Sequence, residues 1–220
     1  MVVVASNKNI MKSTLMLNSQ LLETIGRLPF QAITQERKAV LEKLVGYVQQ
    51  RINEHLPVRL NFICTHNSRR SQLAQIWAKT AAAYHNVHIE SYSGGVEVTG
   101  FNDRAVEAIK KAGFRVTRKG ELNPKWFIFY SDDSEPVVAF SKLYDDAINP
   151  NRDFAAIMTC SHADENCPFI PGAHLRVPVR YEDPKLFDDT PLELQKYEER
   201  SIEIATEMFY VFSQIQKTDG

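Results

Sequence analysis

The sequence predicts an α/β fold: an open parallel sheet with helices on both faces, an N-terminal helical extension over residues 1–57, and a β-hairpin insertion within a main domain of residues 58–220. Three observations carry this. From Val58 onward, short runs rich in β-branched and aromatic residues alternate with stretches of helical period: VRLNFIC precedes SQLAQIWAKTAAAYH, and VHIESYSGG precedes NDRAVEAIKKAG. The run FAAIMTC is nearly all apolar, as a strand covered on both faces must be. Before Val58 the apolar spacing is helical.

Residues 1–17 have no clear period and read as a frayed terminus. NSQLLETIGRLPFQAI holds a short helical pattern stopped near Pro29. TQERKAVLEKLVGYVQQRINEH sets Leu41, Leu44, Val45, Val48 and Ile52 at helical spacing and ends before Pro57. These two helices are expected to pack on the main domain or on another subunit, the latter giving a homo-oligomer. In the second strand–helix unit, Asn102 suits the N-cap and Gly113 the residue just past the C-terminus. KWFIFYSDDSEPVVAFSKL reads as two strands joined by a polar turn. A last helix is expected with Thr190 as cap and Pro191 at its first position.

With 44% hydrophobic residues among 220, the chain can bury a sizeable core. Its formal charge of -1, from 26 basic and 27 acidic residues, supplies no global field to recruit nucleic acid or an anionic membrane. A small anion therefore needs a local site. Three cysteines, an odd number, argue against a disulfide scaffold. The apolar start MVVVA is too short for a signal core, and no run approaches the roughly 18 apolar residues of a membrane span. The expected location is the cytoplasm.

The stretch ICTHNSRRSQ ends the first strand of the main domain at Cys64 and leads into a helix near Ser71. In open α/β sheets ligands collect at such carboxyl ends. Backbone N–H groups of Thr65, His66, Asn67, Ser68, Arg69 and Arg70 can curl into a nest for a tetrahedral oxyanion, and the Arg70 guanidinium adds a two-pronged donor. The same positive surroundings favour the thiolate of Cys64, and Ser71 can donate to that sulfur as it departs. A buried structural thiol is the plainer alternative.

CTHNSRRSQLAQIWA resembles the nucleophile loop and first helix of the low-molecular-weight protein tyrosine phosphatase superfamily, which includes the thioredoxin-coupled arsenate reductases. The resemblance implies that fold, with Cys64 as nucleophile, Asn67 shaping the loop, Arg70 as oxyanion clamp and Ser71 as thiolate partner. Two positions depart from the pattern. His66 stands where family members usually have glycine, and histidine takes positive φ less readily. Arg69 stands where many have a second cysteine.

MTCSHADENCPFIPG places Cys160 and Cys167 with six residues between them, Cys160 at the end of a strand whose carboxyl edge it shares with Cys64. Three thiols near one pocket permit a relay in which Cys160 resolves a Cys64 adduct and Cys167 receives the disulfide. The stretch resembles the redox segment of the arsenate reductases, implying thioredoxin as reductant. Two inert thiols, or a metal site of Cys160, His162, Cys167 and His174, are the competing readings. RYEDPKLFDDTP supplies an aspartate before proline, and the resemblance makes Asp183 the acid over the pocket. Where the reductases carry an acidic residue that helps bind potassium, this chain has Gln75.

The leading expectation is an enzyme reducing arsenate to arsenite through Cys64 and a Cys160/Cys167 relay, with no tightly bound cofactor or metal. A phosphatase hydrolysing phosphotyrosine or small phosphoesters through a Cys64 phosphoenzyme needs the same residues without the cysteine pair. A non-catalytic thiol module binding arsenite or a soft metal is a third reading.

Overall fold

The computed structural model describes residues 16–167 and 169–216. Its centre is a four-stranded parallel sheet of β1 (Arg59–Cys64), β2 (Glu90–Gly95), β6 (Phe154–Met158) and β7 (Ala173–Val177) in the order β2-β1-β6-β7. Strand alternation sends Leu60, Phe62, Ala155, Ile157 and Val177 into one apolar cluster and Ile63, Phe154, Ala156 and Met158 into another. The first cluster is covered by α3 (Arg70–Tyr84) and α6 (Glu193–Ser213), which pack on each other, with α4 (Asp103–Lys111) beside α6. The second is covered more thinly, by the six-residue α5 (Ser161–Asn166), Tyr144 and Ile170.

The N-terminal helices α1 (Ser19–Gly26) and α2 (Gln35–Asn53) join the first cluster through Leu21, Ile25, Leu41, Leu44 and Val48. Thr34 caps α2 by accepting from the Arg37 N–H. The junction with the main body is tight at Gly113, which follows α4 with φ +105°, where a Cβ would stand 2.4 Å from the Leu21 nitrogen. Both the conformation and the contact exclude a side chain. Asn102 caps α4, accepting from Arg104 and Ala105 N–H, as its sequence position predicts.

Four expectations change. Leu17 is not frayed: it is buried and bridges Ser131 in antiparallel fashion. The earlier part of that segment, residues 1–15, lies outside the described residues. The insertion is a three-stranded antiparallel sheet rather than a hairpin, because β3 (Arg115–Lys119) adds to the expected pair β4 (Lys125–Phe129) and β5 (Val137–Ala139). The edge strand β7 also went unread in the sequence. Finally, α6 starts at Glu193, since Thr190 and Pro191 sit in a turn where the Thr190 carbonyl accepts from Glu193 N–H.

Candidate active site

Cys64 ends β1 and is 3% exposed. Four carbonyls of the loop after it bond outward: that of Thr65 accepts from Val96 and Glu97 N–H, that of His66 from the Ser141 and Thr99 hydroxyls, that of Asn67 from Gln72 Nε2, and that of Ser68 from Asn102 N–H. In a trans peptide the following N–H points the opposite way. Residues 66–69 thus direct their amides to the inside of the loop, the nest an oxyanion requires.

The backbone turn falls at Asn67, with φ 46°, and His66 does not share it. An asparagine tolerates that conformation because its side chain bonds locally. Here Asn67 Oδ1 accepts from Lys142 N–H and Nδ2 donates to Ser71 Oγ at 2.9 Å. Histidine at 66 therefore costs the loop no strained φ; its ring instead pairs with Glu97 at 3.2 Å. Gly95 on the neighbouring strand lets the loop approach, since a Cβ there would lie 2.7 Å from the Asn67 nitrogen and 2.8 Å from the Thr65 carbonyl oxygen.

Ser71 Oγ lies 3.0 Å from Cys64 Sγ. That oxygen accepts from Asn67 Nδ2, which leaves its own proton free to donate to the sulfur. Such a donor stabilises a thiolate without being able to take its place.

A narrow cleft beside the sulfur is lined by Cys64, His66, Ser68, Arg69, Arg70 and Asp183. Asp183 accepts from Arg69 Nε at 2.8 Å on one oxygen, and from Arg70 Nη2 at 2.7 Å and Arg69 Nη2 at 3.3 Å on the other. Arg70 Nη1 also donates to the Tyr181 carbonyl at 3.0 Å, while its Nε is buried with no partner among the described residues. Burial pushes the Asp183 carboxyl up, but the Arg70 charge and the Arg69 hydrogen bonds outweigh it and hold the group below its ordinary value. Burial likewise works against the Arg69 charge, and Asp183 again wins, keeping that guanidinium more firmly protonated. In this state the Asp183 carboxylate occupies donors that a bound oxyanion would use.

The Tyr181 strut is anchored from behind. Its hydroxyl donates to Glu207 at 2.6 Å, and Arg37 of α2 forks onto the same carboxylate at 2.5 and 2.8 Å. The N-terminal extension thus buttresses the segment that carries Asp183, although none of the residues lining the cleft comes from it.

Cys160 is buried at the start of α5, where its sulfur accepts from Ala163 N–H at 3.4 Å. The Thr65 hydroxyl lies 3.5 Å from that sulfur and 3.2 Å from His162 Nδ1. Cys167 sits at the other end of α5, half-buried and outside the cleft. Asp164, between the two cysteines, is held by Arg176 and Arg180. Of the residues expected at the site, Cys64, Ser71, Arg70 and Asp183 come together, Cys160 is reached through Thr65, and Cys167 stands apart. The Arg69 fork onto Asp183 and the His162 contact escaped the sequence reading. Among the described residues no group of three or more His, Cys, Asp or Glu side chains could hold a metal ion, so the set Cys160, His162, Cys167 and His174 is not assembled. Gln75 spends its amide on Ser93 and Ser91. No helix of the described residues is long and apolar enough to cross a membrane.

No family model matches the chain. It is 32% identical over 123 residues to arsenate reductase 2 of Staphylococcus epidermidis, covering 56% of this chain and 76% of that one. To an arsenate reductase of Staphylococcus aureus it is 34% identical over 124 residues, with the same shares covered. Among solved structures, a low-molecular-weight protein tyrosine phosphatase from T. tengcongensis aligns with 72% of this chain and 99% of its own, at 19% identity and a TM-score of 0.49. Three-quarters of a reductase is thus matched at about one residue in three, and on that sequence kinship the chain belongs to the arsenate reductase family.

Proposed function

We propose that this enzyme reduces arsenate to arsenite, with residues 58–220 as the catalytic unit and the cytoplasm, where thiols stay reduced, as its setting. The observation that carries the reading is the placement of Cys160 two residues past the end of β6, the strand paired with the one that ends at Cys64, its sulfur joined to the nucleophile loop through the Thr65 hydroxyl. The nest and Arg70 bind arsenate. The Cys64 thiolate attacks arsenic, and one arsenate oxygen leaves as water, with Asp183 supplying a proton once the bound anion has drawn Arg70 away from it. The Cys160 thiolate then attacks the Cys64 sulfur. The pair of electrons in the sulfur–arsenic bond departs with arsenic, giving arsenite and a Cys64–Cys160 disulfide. Cys167 attacks Cys160, Cys64 is released as thiolate, and the Cys160–Cys167 disulfide passes to an external dithiol, with thioredoxin as the proposed donor.

The last exchange requires α5 to open. Its two flanking cysteines are seven residues apart, which in a helix spans about 10 Å, whereas bridged Cα atoms lie within about 7 Å. The reduced helix therefore holds the thiols too far apart to bond.

Hydrolysis of phosphoesters is the second reading. The cleft contains the Cys64, Arg70 and Asp183 that it needs and neither Cys160 nor Cys167. A paired assay separates the two. Arsenate-dependent NADPH consumption with thioredoxin and its reductase, abolished in Cys160→Ser, is the expected result. Aryl phosphate hydrolysis unaffected by Cys160→Ser and Cys167→Ser, with no arsenate turnover, would replace reduction by hydrolysis.

A further inference from the structure

We propose that His162 takes the proton of Cys160 through the Thr65 hydroxyl, a deepening that rests on the reductase reading above. The atoms form one line: Cys160 Sγ to Thr65 Oγ1 at 3.5 Å, and Thr65 Oγ1 to His162 Nδ1 at 3.2 Å. A hydroxyl has one proton to donate and two lone pairs to accept with, so the arrangements open to this line include two that differ by one proton moved along each bond. With a thiol and a neutral ring, the thiol donates to Thr65 and Thr65 donates to Nδ1. With a thiolate and an imidazolium, Nδ1–H donates to Thr65 and Thr65 donates to sulfur. Passing from the first to the second moves one proton along each bond, and leaves threonine unchanged. Ala163 N–H, also aimed at the sulfur, favours the second arrangement.

The chemistry needs such a path. As Cys160 attacks the Cys64 sulfur, its own proton must leave while arsenite departs and takes up a proton. A buried sulfur has no water at hand, whereas His162 is exposed and can exchange the proton with solvent. His162 is thus a positioning residue that acts on the reacting sulfur through Thr65.

The titratable groups around the line come from every packed element. Cys64 ends β1, Cys160 precedes α5, Tyr144 and Cys167 pack on the cluster beneath α5, and Glu165 lies exposed on α5. Asp164 is turned away onto Arg176 and Arg180, and the nearby His66 is paired with Glu97.

The chain has three cysteines, so Cys64→Ser with Cys167→Ser leaves Cys160 as the sole thiol. In that protein, thiolate absorbance against pH and the rate of alkylation at pH 7 are read with and without His162→Gln. Loss of the histidine is expected to move thiolate formation to higher pH and to slow alkylation about tenfold. Glutamine or asparagine still bonds to Thr65, so a merely structural contact survives the change. Thr65→Val is expected to have a similar effect, and the two together little more than either. Curves of His162→Gln and His162→Asn that coincide with that of the protein keeping His162, or effects of the two sites that add, overturn the relay. No arsenate enters this measurement, so its failure leaves the reductase reading intact, and failure of arsenate turnover leaves the titration unaffected.

Discussion

Cys64→Ser is expected to lower arsenate reduction and aryl phosphate hydrolysis together, each by about 10⁴-fold or more, in the range that removal of a nucleophile costs. The reason lies in the loop around the sulfur. Its inward amides and the Ser71 hydroxyl surround the sulfur with groups able to donate to an anion. A serine hydroxyl holds its proton far more tightly than a thiol, and none of the residues lining the cleft is a histidine placed on the nucleophile to remove it: His66 is engaged with Glu97. The substitution changes one atom in a buried position, so thermal unfolding is expected to be nearly unchanged. A Cys64→Ser protein that kept either activity would remove the cysteine from the chemistry.

Asp183→Asn is expected to act in two opposite directions, lowering kcat about 10²–10⁴-fold, as loss of an acid does, while tightening the binding of arsenate or phosphate. The second effect follows from the fork of Arg69 and Arg70 on the carboxylate. An incoming oxyanion competes with Asp183 for Arg70, and an asparagine competes less because it carries no charge. Anion titration by calorimetry beside steady-state kinetics separates the two; weaker binding in the variant would mean that Asp183 does not compete. The pH consequence has a definite sign. A carboxyl held below its ordinary value of 3.8 stabilises the fold above that value and loses its contribution as pH falls through the lower native value. Acid unfolding of the wild type is therefore expected to be steeper below pH 3.8 than that of Asp183→Asn.

The nucleophile loop could be read in the sequence because everything it needs is local. Cys64, Asn67, Arg70 and Ser71 lie within eight residues, and the strand before and the helix after them have strong patterns. The central strands β1 and β6 were legible for the same reason, being nearly all apolar. The edge strands were not. β3 reads RVTRK and is mostly exposed, so no apolar alternation marks it, and β7 reads AHLRV with only Val177 buried. Their strand character comes from pairing with β4 and β6, which local sequence does not carry.

The same distinction holds within the site. Asp183 was found through its proline, but its partner Arg69, 114 positions away, is set by how the segment after β7 folds back over the loop. At sequence level Arg69 was one more positive charge. In the sequence His162 stands only as a candidate metal ligand two residues after Cys160, and its meaning depends on Thr65 arriving from the loop after β1. The chain from Arg37 through Glu207 to Tyr181 joins three distant segments and had no trace in any one of them.

In the proposed reaction two electrons leave the protein's own thiols for arsenate. The most direct measurement is to give fully reduced protein one equivalent of arsenate with no external reductant, quench in acid, and read intact mass and disulfide position. The expected result is one arsenite per chain, a mass lower by two hydrogens, a Cys160–Cys167 disulfide in the wild type and a Cys64–Cys160 disulfide in Cys167→Ser. Three free thiols and unreduced arsenate would contradict it.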